Sequence, residues 1–380
     1  MDASQMRTWA EISLSNIEHN YKAMRARLHD GTRFLGVVKA DAYGHGAVQV
    51  AGLLQELNCD YLGVACIDEA LKLRENSITL PILIMGCTPP QLAYKLLEQN
   101  LTQTVYNLEM AEELSRAANS LGKTLKVHLK ADSGMGRLGF VCHGGRDPGE
   151  DMLRALKLPN LFPEGIFTHF AVSYLRGDAF TKKQYHDFKA LTERLEKNAG
   201  IKFEIKHCAS SGAMINYGWS YIDMVRPGLM LYGLYPDKET GGIPLRPAMA
   251  LKTRIAQLKA LDSGDTVSYG RTYTAPRQRK IAVLEIGYGD GLPRVLSGKI
   301  DVLIRGRRAP QVGMICMDMC MVDITDIPDA IVGDVVTIFG RDGEGLIPIE
   351  EPAALAGTIS YELLCAVSPR VPRVYFKDPQ

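Results

Sequence analysis

The sequence predicts an α/β barrel of the (β/α)8, TIM-like type over about residues 1–245, followed by a mostly-β domain over about 246–380. Three observations predict it. Short apolar runs alternate with helical patterns eight times, the rhythm of such a barrel. No Gly-x-Gly-x-x-Gly follows the first strand of the alternation, so an open doubly wound sheet, the structural alternative, lacks its phosphate-binding turn. A Pro/Gly-rich stretch at 235–244 then ends the alternation, and the texture becomes β-branched and rich in turns.

In chain order, residues 7–12 read as a short strand that could join the later domain. An amphipathic helix follows over about 15–28, with Ser15 as its N-cap. Barrel strands are expected at 33–39, 61–65, 81–85, 102–105, 125–130, 164–168, 203–207 and 222–225. Helical patterns lie between them at about 46–57, 67–75, 89–98, 107–121, 148–156, 178–198 and 211–217. In the second domain the segments 249–259, 280–286, 300–305, 310–315 and 332–339 read as strands separated by turns such as Asp262-Ser263-Gly264-Asp265. The run Arg305-Gly306-Arg307-Arg308 reads as a solvated turn.

Composition narrows the class. With 46% hydrophobic residues, 23% charged residues and a net charge of +1, the chain suits neither nucleic acid nor an anionic membrane as its main partner. No apolar run reaches membrane-spanning length, and the first residues lack a signal-peptide core, so a cytoplasmic protein is expected. The eight cysteines form no Cys-x-x-Cys pair and no zinc-like cluster, which fits reduced thiols and no metal.

The stretch from Phe34 to Gly46 carries the first chemical signal. An apolar strand ends on Lys39 and breaks into a Gly-rich turn. A buried lysine loses basicity, and its neutral amine can attack an aldehyde to form a Schiff base; the plainer alternative is a strand-end lysine reaching solvent. Barrel active sites sit on the loops after the strands, with phosphate commonly held after the seventh and eighth. There the chain places Ser210-Ser211-Gly212 and Arg226-Pro227-Gly228-Leu229. Either turn alone reads as ordinary capping. Together, on the same barrel as Lys39, they suggest a phosphorylated aldehyde cofactor held at both ends. Further polar groups follow other strands, at 130–139 and at Thr168-His169-Phe170. His169 by itself also reads as a satisfied structural histidine.

Val38-Lys39-Ala40-Asp41-Ala42-Tyr43-Gly44-His45-Gly46 resembles the cofactor-attachment motif of the alanine racemase family of pyridoxal-phosphate enzymes. The resemblance continues in order through 132–139, 168–170, 226–228, Tyr232-Gly233, Ser268-Tyr269-Gly270, 287–291, 313–318 and Tyr361-Glu362. It implies a fold-type III racemase that interconverts L- and D-alanine with pyridoxal 5'-phosphate attached to Lys39, supplying D-alanine for peptidoglycan. Lys39 and Tyr269 would act as acid/base groups on opposite faces of the substrate Cα. A phenol is a poor base unless cations favour its phenolate, and His169 and Arg226 would be those cations or relay members. Arg226 would face the pyridine nitrogen and, unable to give up its proton readily, leave it unprotonated. Tyr43, Ser211, Gly228, Leu229 and Tyr361 would hold the phosphate. Arg137 would meet the substrate carboxylate or the cofactor's ring oxygen, and Lys130 could be carbamylated to orient it. Tyr269, Tyr288, Met317 and Asp318 would reach the partner's site in a homodimer.

One departure stands out: Ser210 occupies a place where the family pattern leads one to expect asparagine. The alternatives are a serine or broad-specificity racemase, an amino-acid decarboxylase, whose acidic specificity loop and late cysteine motif are not found, and a non-catalytic cofactor carrier. The β domain bearing Tyr269 argues against the carrier.

Overall fold

The computed structural model describes residues 5–238 and 240–377. The chain divides into two compact units, one formed by Asn16–Ala42 and Ala47–Arg246, the other by Met1–Ser15, Tyr43–Gly46 and Pro247–Gln380.

The first unit is a parallel barrel. Its strands run in the spatial order Met224–Val225, Arg33–Val37, Tyr61–Val64, Ile82–Ile84, Thr102–Val105, Leu125–Asp132, Leu161–Phe167 and Ile205–His207. A parallel bridge between Ser210 and Arg226 joins the last strand's extension to that of the first. Most of these strands are buried along nearly their whole length, as parallel strands covered by helices must be; Leu161–Phe167 is buried only from Glu164 on. The covering helices show ordinary causes. Asn107 caps Leu108–Ser120 through the Met110 N–H, and Asp178 caps Ala179–Ala199, which stops at Gly200 in the left-handed region, φ 66°. Leu14–Arg25 buries Ile17, Asn20, Tyr21 and Met24, spaced on one helical face.

The second unit is mainly antiparallel. Strands Met249–Leu261, Arg279–Leu284, Cys320–Asp323, Arg307–Val312, Asp301–Ile304 and Val335–Asp342 pair in succession, and Val335–Asp342 pairs back to Met249–Leu261, closing a ring of six. Thr8–Ser13 adds antiparallel to Met249–Leu261 and parallel to Arg373–Phe376. Two seven-residue helices, Glu350–Ala356 and Ser360–Ala366, complete the unit.

Three departures from the sequence reading have a plain physical cause. Ser15 is not an N-cap: strand pairing runs to Ser13, whose N–H donates to Ala248 O at 2.8 Å, and the helix starts at Leu14. The first barrel strand stops at Val37, because the backbone changes hand after Lys39. In the arginine run only Arg305 and Gly306 form the turn; Arg307–Val312 is a strand, and Arg308 grips Glu351 at 2.6 and 2.8 Å. Among the described residues no helix is long and apolar enough to cross a membrane.

Candidate active site

The polar groups of the barrel unit gather where its strands end. Lys39 follows the first strand and the fully buried Val38. The next four residues, Ala40, Asp41, Ala42 and Tyr43, have φ of 52°, 51°, 56° and 53°. Left-handed backbone costs an L residue roughly 1–2 kcal/mol, so the surroundings must hold this turn. The Ala42 N–H donates to Val38 O at 2.9 Å. Glu69 accepts the N–H of Ala40 at 2.6 Å and that of Ala65 at 2.7 Å, tying the turn to the end of the second strand. Asp41 accepts the Ala47 N–H at 3.0 Å and pairs with Lys72 at 3.2 Å.

Beside the first strand, which pairs with the eighth through Met224 and Arg33, the seventh and eighth strand ends are joined. Ser211 opens the short helix Ser211–Asn216, and its Oγ accepts the Gly228 N–H at 3.0 Å. The Arg226 N–H donates to Ala209 O at 2.9 Å. A hydroxyl and small-residue backbone are thus brought to one place.

Between these lies a cationic centre. The Arg226 guanidinium is buried; it donates to His207 Nδ1 and Thr168 O, each at 2.8 Å, and to Cys208 O at 3.3 Å. His169 Nδ1 stands 3.4 Å from it. Lys130 Nζ and the Arg226 guanidinium lie 5.5 and 5.3 Å from the Phe167 ring, a distance at which the ring's face attracts cations. Burial, then the neighbouring Arg137 and Arg226, lower the Lys130 pKa to about 8. Burial, then the same arginines, hold His169 well below its ordinary value. His169 is therefore a neutral ring, and Arg226 is the cation.

Beyond the fifth strand, Asp132 organises the loop carrying Arg137. One carboxylate oxygen accepts the N–H groups of Gly134, Met135 and Gly136 at 2.8–3.1 Å, and the other accepts that of Arg137 at 3.2 Å. Burial alone would raise the Asp132 pKa; these backbone donors outweigh it and lower it. The Arg137 side chain itself is exposed.

The remaining sequence-predicted residues belong to the other unit. Tyr269 heads a one-turn helix, Tyr269–Arg271, and is 71% exposed. With Met317, 53% exposed, and Asp318 it lines a groove of about 670 Å3 that also includes Val267, Met319 and Met321. Arg370 steadies this rim by donating to Asp318 and to the buried Asp290, each at 2.8 Å, and Asp290 also pairs with Arg7. Tyr288 is 43% exposed. Tyr43 and Tyr361 face one another with ring centroids 6.0 Å apart, and burial pushes the Tyr361 phenol up to about 12.

Sequence reading gave no role to Glu69, Asp132, His128, Glu164 or His207. The last three had one signal: polar side chains inside otherwise apolar strands, as in Val127-His128-Leu129.

Comparison with known proteins accords with this arrangement. Residues 12–236 match the family profile "Alanine racemase, N-terminal domain", and 248–375 match "Alanine racemase, C-terminal domain". An alanine racemase of Desulfosudis oleivorans is 46% identical over 375 residues, covering 97% of this chain and 96% of that protein. One from Methanococcus maripaludis is 44% identical, covering 97% and 98%. Among solved structures, alanine racemase of Clostridium difficile 630 superposes with a TM-score of 0.94 at 41% identity, covering 99% and 97%. That of Bacillus anthracis with bound L-Ala-P gives 0.91 at 35% identity, covering 98% and 95%. With its strand-end lysine, buried arginine and joined seventh and eighth turns, the chain belongs to the alanine racemase family.

Proposed function

We propose that this protein interconverts L- and D-alanine, using pyridoxal 5'-phosphate attached to Lys39. The observation that carries the reading is the placement of three chemically distinct groups at the strand ends of one barrel. They are an amine after the first strand, a hydroxyl and backbone amide joined across the seventh and eighth, and a buried guanidinium beside them. This donor set fits the group: the lysine matches its aldehyde, Ser211, Gly228 and Leu229 its phosphate, and Arg226 its ring nitrogen. By the family resemblance, Tyr43 and Tyr361 would add phenols to the same phosphate.

When bound, the cofactor withdraws electrons from the substrate Cα and makes its proton removable. The chain's residues then decide where that proton goes. Lys39 Nζ takes or returns it on one face. Tyr269, supplied by a second copy of the chain, does so on the other, because a proton returned to the face it left gives no inversion. Arg226 keeps its own proton, as guanidinium does, and so leaves the ring nitrogen bare. His169 relays near the phenol, and Arg137 binds the substrate carboxylate, with Tyr288, Met317 and Asp318 of the second copy at the entrance. The exposure of Tyr269, Met317 and Asp318 supports a homodimer that shares its sites. Lys130, neutral at mildly alkaline pH, is suited to take up carbon dioxide as a carbamate that would pair with Arg137. The eight free cysteines agree with a cytoplasmic enzyme that supplies D-alanine for peptidoglycan.

The test is incubation of the purified protein with pyridoxal phosphate and L-alanine or L-serine in deuterated water. Cα deuterium incorporation with loss of optical rotation, faster for alanine than serine, is expected. Serine turned over faster, or neither, would transfer the chain to a sister racemase or to a carrier role.

A further inference from the structure

Arg226 is a buried cation, and among the described residues no carboxylate pairs with it. An uncompensated buried charge is costly. The compensation lies along a chain of buried side chains running down inside the barrel. Arg226 donates to His207 Nδ1 at 2.8 Å. His207 Nε2 is 2.9 Å from His128 Nδ1, and His128 Nε2 is 3.1 Å from Glu164 Oε2. Both imidazoles are fully buried, and Glu164 is 5% exposed. The Tyr61 hydroxyl donates to the same Glu164 oxygen, and Lys126, half exposed, meets the other at 3.2 Å.

The direction of every bond in this chain is forced. Guanidinium has donors only, so His207 Nδ1 must accept and its proton sits on Nε2. His128 Nδ1 must then accept from His207, and its own proton sits on Nε2, aimed at Glu164. Burial and the Arg226 charge keep His207 neutral; burial likewise lowers His128. Burial would raise the Glu164 carboxyl, but the hydrogen bonds from His128 and Tyr61 outweigh it and hold it at about 2. The packing leaves space for this and little else: a Cβ on Gly165 would lie 2.8 Å from two atoms of the His128 ring.

We propose that Glu164 and His128 are positioning residues for Arg226, acting through His207. They lock both imidazoles in one tautomer and place the balancing negative charge two rings away. Glu164 is the only member of the chain that can accept without donating. An amide there still offers an oxygen to His128 but removes the balancing negative charge, and when its N–H2 turns toward His128 both tautomers reverse and a donor faces the Arg226 donors. The disturbance ends at the guanidinium that faces the ring nitrogen in the function proposed above, on which the kinetic part of this inference rests.

Nitrogen-15 shifts of the imidazoles in the cofactor-loaded wild-type protein test it first. The expected result is His128 and His207 each bare at Nδ1 and protonated at Nε2. Either ring protonated at Nδ1 would overturn the proposal, whether or not alanine is a substrate, so its failure stays separate from failure of the functional reading. The Glu164→Gln variant is then expected to lower kcat about tenfold, the scale seen when a partner that orients an active-site group is lost. The alanine KM should stay within about twofold, and the visible absorption of the loaded protein should shift. Lys126→Met, which removes only the exposed cation, should leave all three unchanged. A Glu164→Gln protein that melts earlier yet keeps wild-type kcat, pH profile and absorption would show the chain to be packing alone and sink the idea.

Discussion

At the strand ends of the barrel, Arg226 and Lys130 are each 4% exposed, whereas Tyr269 and Met317 in the β unit are 71% and 53% exposed. The barrel groups are fixed by many partners: Arg226 has four, and Asp132 holds one loop through four N–H groups. The Tyr269 turn is anchored by its neighbour, with Ser268 Oγ donating to Met314 O at 2.7 Å, while the phenol itself stands in solvent. One region is preorganised within the folded chain; the other presents its chemistry outward. That difference teaches that the chain alone completes one half of the proposed machinery, and that the other half needs a second surface to work against.

Breaking the preorganised half should have the largest effect. Lys39→Ala is expected to remove the visible absorption of the bound cofactor and cut racemisation by at least about a thousandfold, the upper range for loss of a group that both attaches and moves protons. A variant retaining the band and full activity would refute the attachment. Tyr269→Phe should come next, at roughly a hundredfold, and it should be lopsided. Deuterium exchange from one enantiomer should slow far more than from the other. Equal, slight losses in both directions would mean that the exposed phenol is not the second acid/base group.

A subtler test concerns charge in the buried half. Lys130 has a folded pKa of about 8, below its ordinary value near 10.4. Between those values the unfolded chain binds more protons than the folded one, so stability should rise with pH over roughly 8 to 10.4. Denaturant titration of protein freed of carbon dioxide should show this slope, and Lys130→Met should lack it. Bicarbonate should abolish it in the wild type if a carbamate forms. A slope indifferent to both bicarbonate and the substitution would show that Lys130 is not its source.

Much of the fold could be read because each cause was local. Tyr61–Val64 and Ile67–Glu75 are a continuous apolar run and an amphipathic run with clear ends, and the alternation of eight such strands with helices implied a barrel. The seven-residue helices Glu350–Ala356 and Ser360–Ala366 escaped because neither has a side-chain cap and each is too short to show a period. Lys39, Arg226 and Tyr269 were legible from motifs. The chain from His207 to Glu164 was not, since it links residues up to 79 positions apart through rings that no local pattern pairs. The hand of the turn at 40–43 was hidden for another reason: Ala40, Ala42 and Tyr43 give no sign of left-handed backbone, and Asp41 alone is a weak one.

That turn supplies the smallest test. Ala40→Gly should stabilise the fold by about 0.5 kcal/mol, since relief of the left-handed strain exceeds glycine's added freedom in the unfolded chain. Loss of stability in a melt would show that the turn is not strained. The same geometry has a stereochemical consequence. A backbone that is uphill for an L residue is the mirror image of one that is downhill for it, and therefore suits a D residue. Ala40 and Ala42 sit where D-alanine would rest without strain. In a chain assembled by chemical synthesis, the building block best matched to these two positions is the enantiomer that the protein is proposed to make.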